Sequence, residues 1–220
     1  MPHTLRTAWN SSAKSCLGVI EMNKKLWIAA SAAAILIPIA VVVCIFAFSG
    51  SDKTDTEPKT SSVTTLPNGS EIRETKDKNV SEFKSKYGYS VQYRNEYEID
   101  TNGENYDFYI HDSENRGQAA ISVSENNGVF DGITDKEQWD GKMTDFGKSA
   151  DFVKTKINGI DAYVAHYYIS DDEGNGTCDV ILAVLEGEKY YYTYVYTAAA
   201  NITEQESNHL GAVLYTFRTE

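Results

Sequence analysis

Hydrophobic positions along this chain fall into three regimes. From Trp27 to Phe48 they are continuous, reading WIAASAAAILIPIAVVVCIFAF, 22 residues without a charge. As a helix that run spans about 33 Å against a hydrocarbon core of roughly 30 Å, so a membrane-crossing helix is expected over residues 27–48. Pro38 fits such a helix, because neighbouring groups in a membrane can satisfy the carbonyl it frees. Residues 49–80 are dominated by Ser, Thr, Asp, Glu and Lys with a few isolated aliphatics, the composition of a flexible polar tether. A coil of about 30 residues has a root-mean-square reach of roughly 30 Å.

The third regime, residues 81–220, alternates. Its pattern predicts strands at Tyr89–Tyr93, Asp107–His111, Ala119–Ser124, Phe152–Lys156, Ile160–Ile169, Asp179–Leu185 and Tyr190–Tyr196. Asn158-Gly159 is a strong type I′ hairpin signal and Glu186-Gly187-Glu188 reads as a second tight turn, giving a three-strand antiparallel meander from Phe152 to Tyr196. Two helices interrupt the strands. Each is expected to open with a capping box, Thr134 with Glu137 and Thr203 with Glu206. Trp139, Met143, Phe146 and Ala150 form one apolar stripe, and Leu210, Val213, Leu214 and Phe217 form another. The expected fold class is α+β, an antiparallel sheet with helices laid on it.

Charge separates these regions further. Arg6, Lys14, Lys24 and Lys25 stand against Glu21 alone in residues 1–48, and removing them from totals of 20 basic and 32 acidic side chains leaves 16 and 31. The part after the apolar run therefore carries a net −15, which repels nucleic acid and anionic head groups; no nucleic-acid partner is expected. Lys24 and Lys25 precede the run while Ser49, Gly50, Ser51 and Asp52 follow it, so the lysine bias keeps residues 1–26 in the cytoplasm and puts the C-terminal domain outside. The expected product is a single-pass protein of the cell membrane whose first partner is the lipid bilayer, through residues 27–48. Met22 ahead of Asn23, Lys24 and Lys25 resembles the start of a secretory signal, which makes Met22 a candidate true start. Cleavage at Ala47-Phe48-Ser49 or lipidation at Cys44 are the competing fates of the run; its length favours retention.

Cys178 is the one cysteine after the apolar run, so no intramolecular disulfide is expected there. Cys178 and His166 fall on strands that their connecting loop would make neighbours, and as nucleophile and base they would define a cell-surface hydrolase. No third group accompanies them, which favours a structural cysteine and a polar-face histidine. Asp171, Glu173, Asn175, the Thr177 carbonyl and Asp179 match positions 1, 3, 5, 7 and 9 of a calcium loop, but Leu182 stands where a bidentate Glu is required, so an acidic hairpin loop is favoured over a metal site. Tyr190, Tyr192, Tyr194 and Tyr196 share one strand face, with Tyr163, Tyr167 and Tyr168 on the neighbouring strand. That ladder is either core cover or an interaction face for a surface protein or glycan, with core cover favoured. Sequons stand at Asn68, Asn79, Asn175 and Asn201. No cofactor motif is present.

The opening Tyr87-Gly88-Tyr89-Ser90-Val91-Gln92-Tyr93, the meander, and a last helix running into Tyr215-Thr216-Phe217-Arg218 resemble the PsbP-like fold of small extracytoplasmic bacterial proteins, over about residues 83–218. That resemblance implies an antiparallel α+β sandwich, a bacterial setting in which the sequons carry nothing, and a non-enzymatic binding module with no particular partner.

Overall fold

The computed structural model describes residues 62–100, 106–114, 116–170 and 177–220. Residues 27–48 lie outside that set, and no described helix is long and apolar enough to cross a membrane. The described chain runs β1 (Val63–Thr65), β2 (Glu71–Glu74), β3 (Val80–Lys84), β4 (Tyr89–Arg94), β5 (Glu98–Ile99), β6 (Phe108–His111), β7 (Gly117–Glu125), α1 (Lys136–Lys142), a 3₁₀ turn (Thr144–Phe146), β8 (Asp151–Ile157), β9 (Ile160–Ser170), β10 (Thr177–Glu186), β11 (Tyr190–Ala199), α2 (Glu204–Thr216) and β12 (Arg218–Thr219). Two antiparallel sheets result. One has the order β1-β2-β3-β4-β12, the other β5-β6-β7-β11-β10-β9-β8. The expected α+β class holds, with two helices.

Strand alternation decides what each sheet buries. Phe83, Tyr89, Val91 and Tyr93 of the smaller sheet meet Phe108, Ile121, Tyr192, Tyr194 and Tyr196 of the larger, and Leu210, Val213, Leu214 and Phe217 of α2 complete this main core. The opposite face of the larger sheet holds Tyr163, Tyr167, Val180, Leu182, Tyr191 and Val195, covered by Phe130, Ile133, Trp139, Met143 and Phe146. The larger sheet is thus sandwiched between the smaller sheet with α2 and a short helical cover.

The meander from Phe152 to Tyr196 contains four strands rather than three, β8 to β11, paired in sequence order. Its first turn is as expected: Asn158 has φ +50° and Gly159 φ +87°, both left-handed, as a type I′ turn requires. Asn158 does a second job. Its side-chain amide donates to the carbonyls of Tyr215 and Phe217, each at 2.8 Å, and so caps the end of α2.

Two expectations need correction. The tether does not extend to residue 80, because Val63–Thr65 and Glu71–Glu74 form a hairpin that joins the smaller sheet. Its turn is Leu66-Pro67-Asn68-Gly69, closed by Gly69 N–H donating to Leu66 O at 2.9 Å, with proline at the second position and Gly69 at φ +88°. Backbone pairing here is made by polar residues, so the apolar alternation that marks the other strands is absent. The first helix starts one residue later than expected. Asp135 is its N-cap, accepting from Gln138 N–H at 2.9 Å, and the Gln138 side-chain carbonyl accepts from Thr134 N–H at 2.7 Å. It ends at Lys142, so Trp139, Met143 and Phe146 are buried but Ala150 is exposed.

The second helix follows the pattern closely. Thr203 and Glu206 form the reciprocal capping box, and Leu210, Val213 and Leu214 are buried along one stripe. Leu214 is 2% exposed, so Leu214→Ala should lower the free energy of unfolding by about 2–5 kcal/mol, from lost transfer energy plus the cavity left behind. Chemical denaturation of the two proteins checks it; equal midpoints would mean that α2 is not part of the core.

Candidate interaction face

The register of β9 against β10 separates the two residues that a hydrolase would need. Cys178 pairs with Ile169 and Ile181 pairs with His166, so the His166 and Cys178 side chains leave opposite faces of the sheet. Cys178 is 2% exposed on the helix-covered side. His166 is half-buried on the other, where its Nε2 lies 3.7 Å from an oxygen of Asp179 and its ring centre 4.5 Å from that of Tyr168. The nucleophile–base pair expected of a hydrolase is therefore not assembled.

The tyrosine ladder is core. Tyr192, Tyr194 and Tyr196 are 5%, 0% and 3% exposed, and only Tyr190 is half-buried. Their hydroxyls hold neighbouring elements: Tyr192 donates to Tyr87 O at 3.2 Å, Tyr194 to Leu210 O at 2.7 Å, and Tyr196 is 2.6 Å from Ser207 Oγ. Burial raises the Tyr196 hydroxyl to about 12 and Tyr194 well above the usual phenol range, so all stay neutral. These rings do not form an exposed interaction face. On the opposite side Trp139 Nε1 donates to Tyr167 Oη at 2.7 Å, fastening α1 to β9.

Of the acidic loop, Asp171, Glu173 and Asn175 lie outside the described residues. Asp179 is an exposed residue of β10 beside His166, and Leu182 is fully buried. Among the described residues no three His, Cys, Asp or Glu side chains come together as a metal site.

Two polar clusters that the sequence did not announce are tied to structure. Arg116 reaches Asp112 at 3.2 Å and Glu206 at 2.7 Å, joining the β6–β7 turn to the start of α2. The Thr203 hydroxyl and backbone, then Arg116, hold Glu206 below the usual carboxylate range. At the far end Ser85 Oγ donates to Asp107, linking the β3–β4 turn to the entry of β6. Burial raises Asp107, against the opposing pull of the Ser85 and Tyr89 hydroxyls beside it. The Ser85–Asp107 and Arg116–Glu206 contacts join residues 22 and 90 apart in sequence, so no local motif marks them.

What remains open is a shelf at the β8 side of the main-core face, beyond the reach of α2. The register sets Asp151, His166 and Ile181 in one row and Val153 and Val164 in the next, with Tyr168 and Asp179 above them. Val153 is 45% and Tyr168 61% exposed, while Val164, His166 and Ile181 are half-buried. On α2, Tyr215 is 69% exposed. Apart from Val63 on β1, these are the exposed large hydrophobic side chains among the described residues.

No protein-family model matches the chain, and the comparison with curated proteins finds no match. Sixteen solved chains match it in structure. One is a protein of Bacteroides thetaiotaomicron VPI-5482, 15% identical with a TM-score of 0.42; the match covers 60% of this chain and 45% of that protein's length. Another is the cyanobacterial PsbP of Synechocystis sp. PCC 6803, 14% identical with a TM-score of 0.48, covering 64% of this chain and 93% of that one. Both likenesses are of fold. The second bears the name of the fold that the opening strand and last helix resemble.

Two outcomes follow from this geometry. Thiol reagent should label Cys178 in the native protein only as fast as the domain opens, far slower than in denaturant, as read by mass mapping of the Cys178 peptide. Rapid, pH-dependent native labelling would restore a reactive thiol. Asp107, with its native pKa raised, binds its proton more tightly folded than unfolded, so its charged form works against folding at neutral pH and this is relieved as pH falls. The stability gain of Asp107→Asn over the parent should therefore be largest near pH 7 and shrink toward pH 4. A pH-independent gap in denaturant melts would show that burial does not strain this carboxylate.

Proposed function

We propose that the chain is a membrane-tethered extracytoplasmic module that acts by non-catalytic recognition, presenting the shelf around Val153, His166 and Tyr168 to a surface protein or glycan. The exposed shelf carries this reading. Tyr163, Tyr167, Tyr191, Tyr192, Tyr194 and Tyr196 on β9 to β11 are folded inward, whereas Tyr168 is held out on a rigid strand, and Tyr combines apolar area with a polar tip at low entropic cost. Anchoring rests on the uncharged run Trp27–Phe48 behind Lys24 and Lys25, and would confine the domain to partners near the cell surface.

A photo-crosslinking side chain placed at Tyr168 in the full-length protein, in intact cells, tests both halves. The expected result is a discrete adduct from position 168, weak or absent from Val63, and removal of the domain by protease added outside. Equal adducts from both positions would discard the shelf as the recognition face. Protection of the domain from protease would reverse the topology.

A further inference from the structure

Beside the shelf lies the one long open edge among the described strands. Strands β1, β5 and β12 close their sheets with three, two and two residues, but β8 ends the larger sheet with seven, Asp151–Ile157, pairing only with β9 among the described strands. It contains neither proline nor glycine, and Asp151, Val153, Lys154, Thr155 and Lys156 are exposed. Such an edge is a template for a further strand.

The hairpin fixes which backbone groups are presented. In a two-residue type I′ hairpin the residues flanking the turn, Ile157 and Ile160, exchange both backbone hydrogen bonds, so Ile157, Thr155 and Val153 point their N–H and C=O groups at β9. Phe152, Lys154 and Lys156 then point theirs outward. Side chains alternate with the same period: Val153 and Thr155 lie on the shelf side, and Phe152, Lys154 and Lys156 on the other.

We propose that the β8 edge binds an extended acidic peptide by strand addition, with acidic residues alternating with apolar ones. The peptide's backbone pairs with Phe152, Lys154 and Lys156. Its apolar side chains extend the Val153 and Val164 shelf, and its carboxylates fall beside Lys154 and Lys156. Charge argues for this occupant at short range only: salt screens the domain's net −15 beyond about 8 Å, while Lys154 and Lys156 flank the outward groups, with Asp161 bonded to Lys156 and Glu186 reaching the Tyr163 hydroxyl at 3.4 Å. Lys154 Nζ has only long contacts, 3.5 Å to Ile133 O and 3.4 Å to Tyr163 Oη, and lies over the Tyr163 ring at 5.0 Å. Lys156 is paired with Asp161 at 2.8 Å in a fully exposed contact that leaves its other donors to solvent. In the register centred on Lys154 a second copy would set Lys154 opposite Lys154, which opposes that pairing.

This deepens the recognition reading above and rests on it. The test uses the full chain in detergent with a fluorescein-labelled peptide that alternates glutamate and valine, read by anisotropy. Saturable binding is expected, weakened about tenfold or more in Lys154→Glu/Lys156→Glu. A peptide with lysines in place of the glutamates should bind at least as much more weakly. Lys154→Pro removes an outward N–H without touching the bonds to β9, so its melting temperature should hold while affinity drops about fivefold or more. Unchanged affinity in Lys154→Pro, equal binding of the lysine peptide, or no saturation would overturn strand addition. Concentration-dependent dimers that Lys154→Pro abolishes would assign the edge to a second copy instead. Loss of peptide binding with the position-168 adduct intact would sink this proposal and leave the recognition module standing.

Discussion

The structure depends on β11 being buried on both faces at once. Nine of its ten residues are buried, and its sequence, YYYTYVYTAA, must fill the main core with one set of side chains and the helix-covered side with the other. Rings do this efficiently, each buried apolar side chain of that size contributing about 1.5–3 kcal/mol. A phenol brings a liability, because a buried hydroxyl without a partner costs about 1–3 kcal/mol. On the main-core side the fold meets it by bringing partners to Tyr192, Tyr194 and Tyr196: Tyr87 O from the β3–β4 turn, and Leu210 O and Ser207 Oγ from α2. The need to satisfy three tyrosines on one strand therefore sets where the smaller sheet and α2 can sit.

The same constraint explains the short cover on the other face. A helix of seven residues is far below the length that is stable alone in water, so α1 exists because Trp139 is fully buried against Phe130, Phe152 and Tyr163 and bonded to Tyr167. Asp140 secures its far end. Burial pushes that carboxyl up, but Lys136 and the Ser149 hydroxyl and backbone bond to it and leave it below its usual range. Local propensity contributes little here; the pull comes from the sheet.

Strands β4, β6, β7, β9, β10 and β11 were legible because each has a buried face that marks the sequence with apolar residues; the two-residue strands β5 and β12, with no buried residue, were not. Nor was the hairpin of β1 and β2. Its residues, Val-Thr-Thr and Glu-Ile-Arg-Glu, are exposed or half-buried, and polar strands paired only by backbone look like tether. The Asn68-Gly69 turn was the available signal, the same dipeptide that marks β8–β9. For the candidate chemistry the missing quantity was register. Asp171 to Gly176 separate β9 from β10, and a shift of one residue in that pairing moves His166 from the face opposite Cys178 to the same face. Composition placed both residues on adjacent strands but could not choose between those two arrangements.

Alternation also explains how one strand serves burial and recognition together. Along β9, Tyr163 and Tyr167 turn into the helix-covered side and are 1% exposed, while Val164, His166 and Tyr168 turn to the face where α2 ends short of the sheet's edge. That helix lies against β4, β7 and β11; of β8, Ile157 reaches the main core while Val153 stays 45% exposed. The Asn158 amide bonds to the carbonyl of Tyr215 in the last turn of α2 and to that of Phe217, where the chain leaves the helix. One side chain in the turn thus ties the end of the helix to the hairpin that forms the edge.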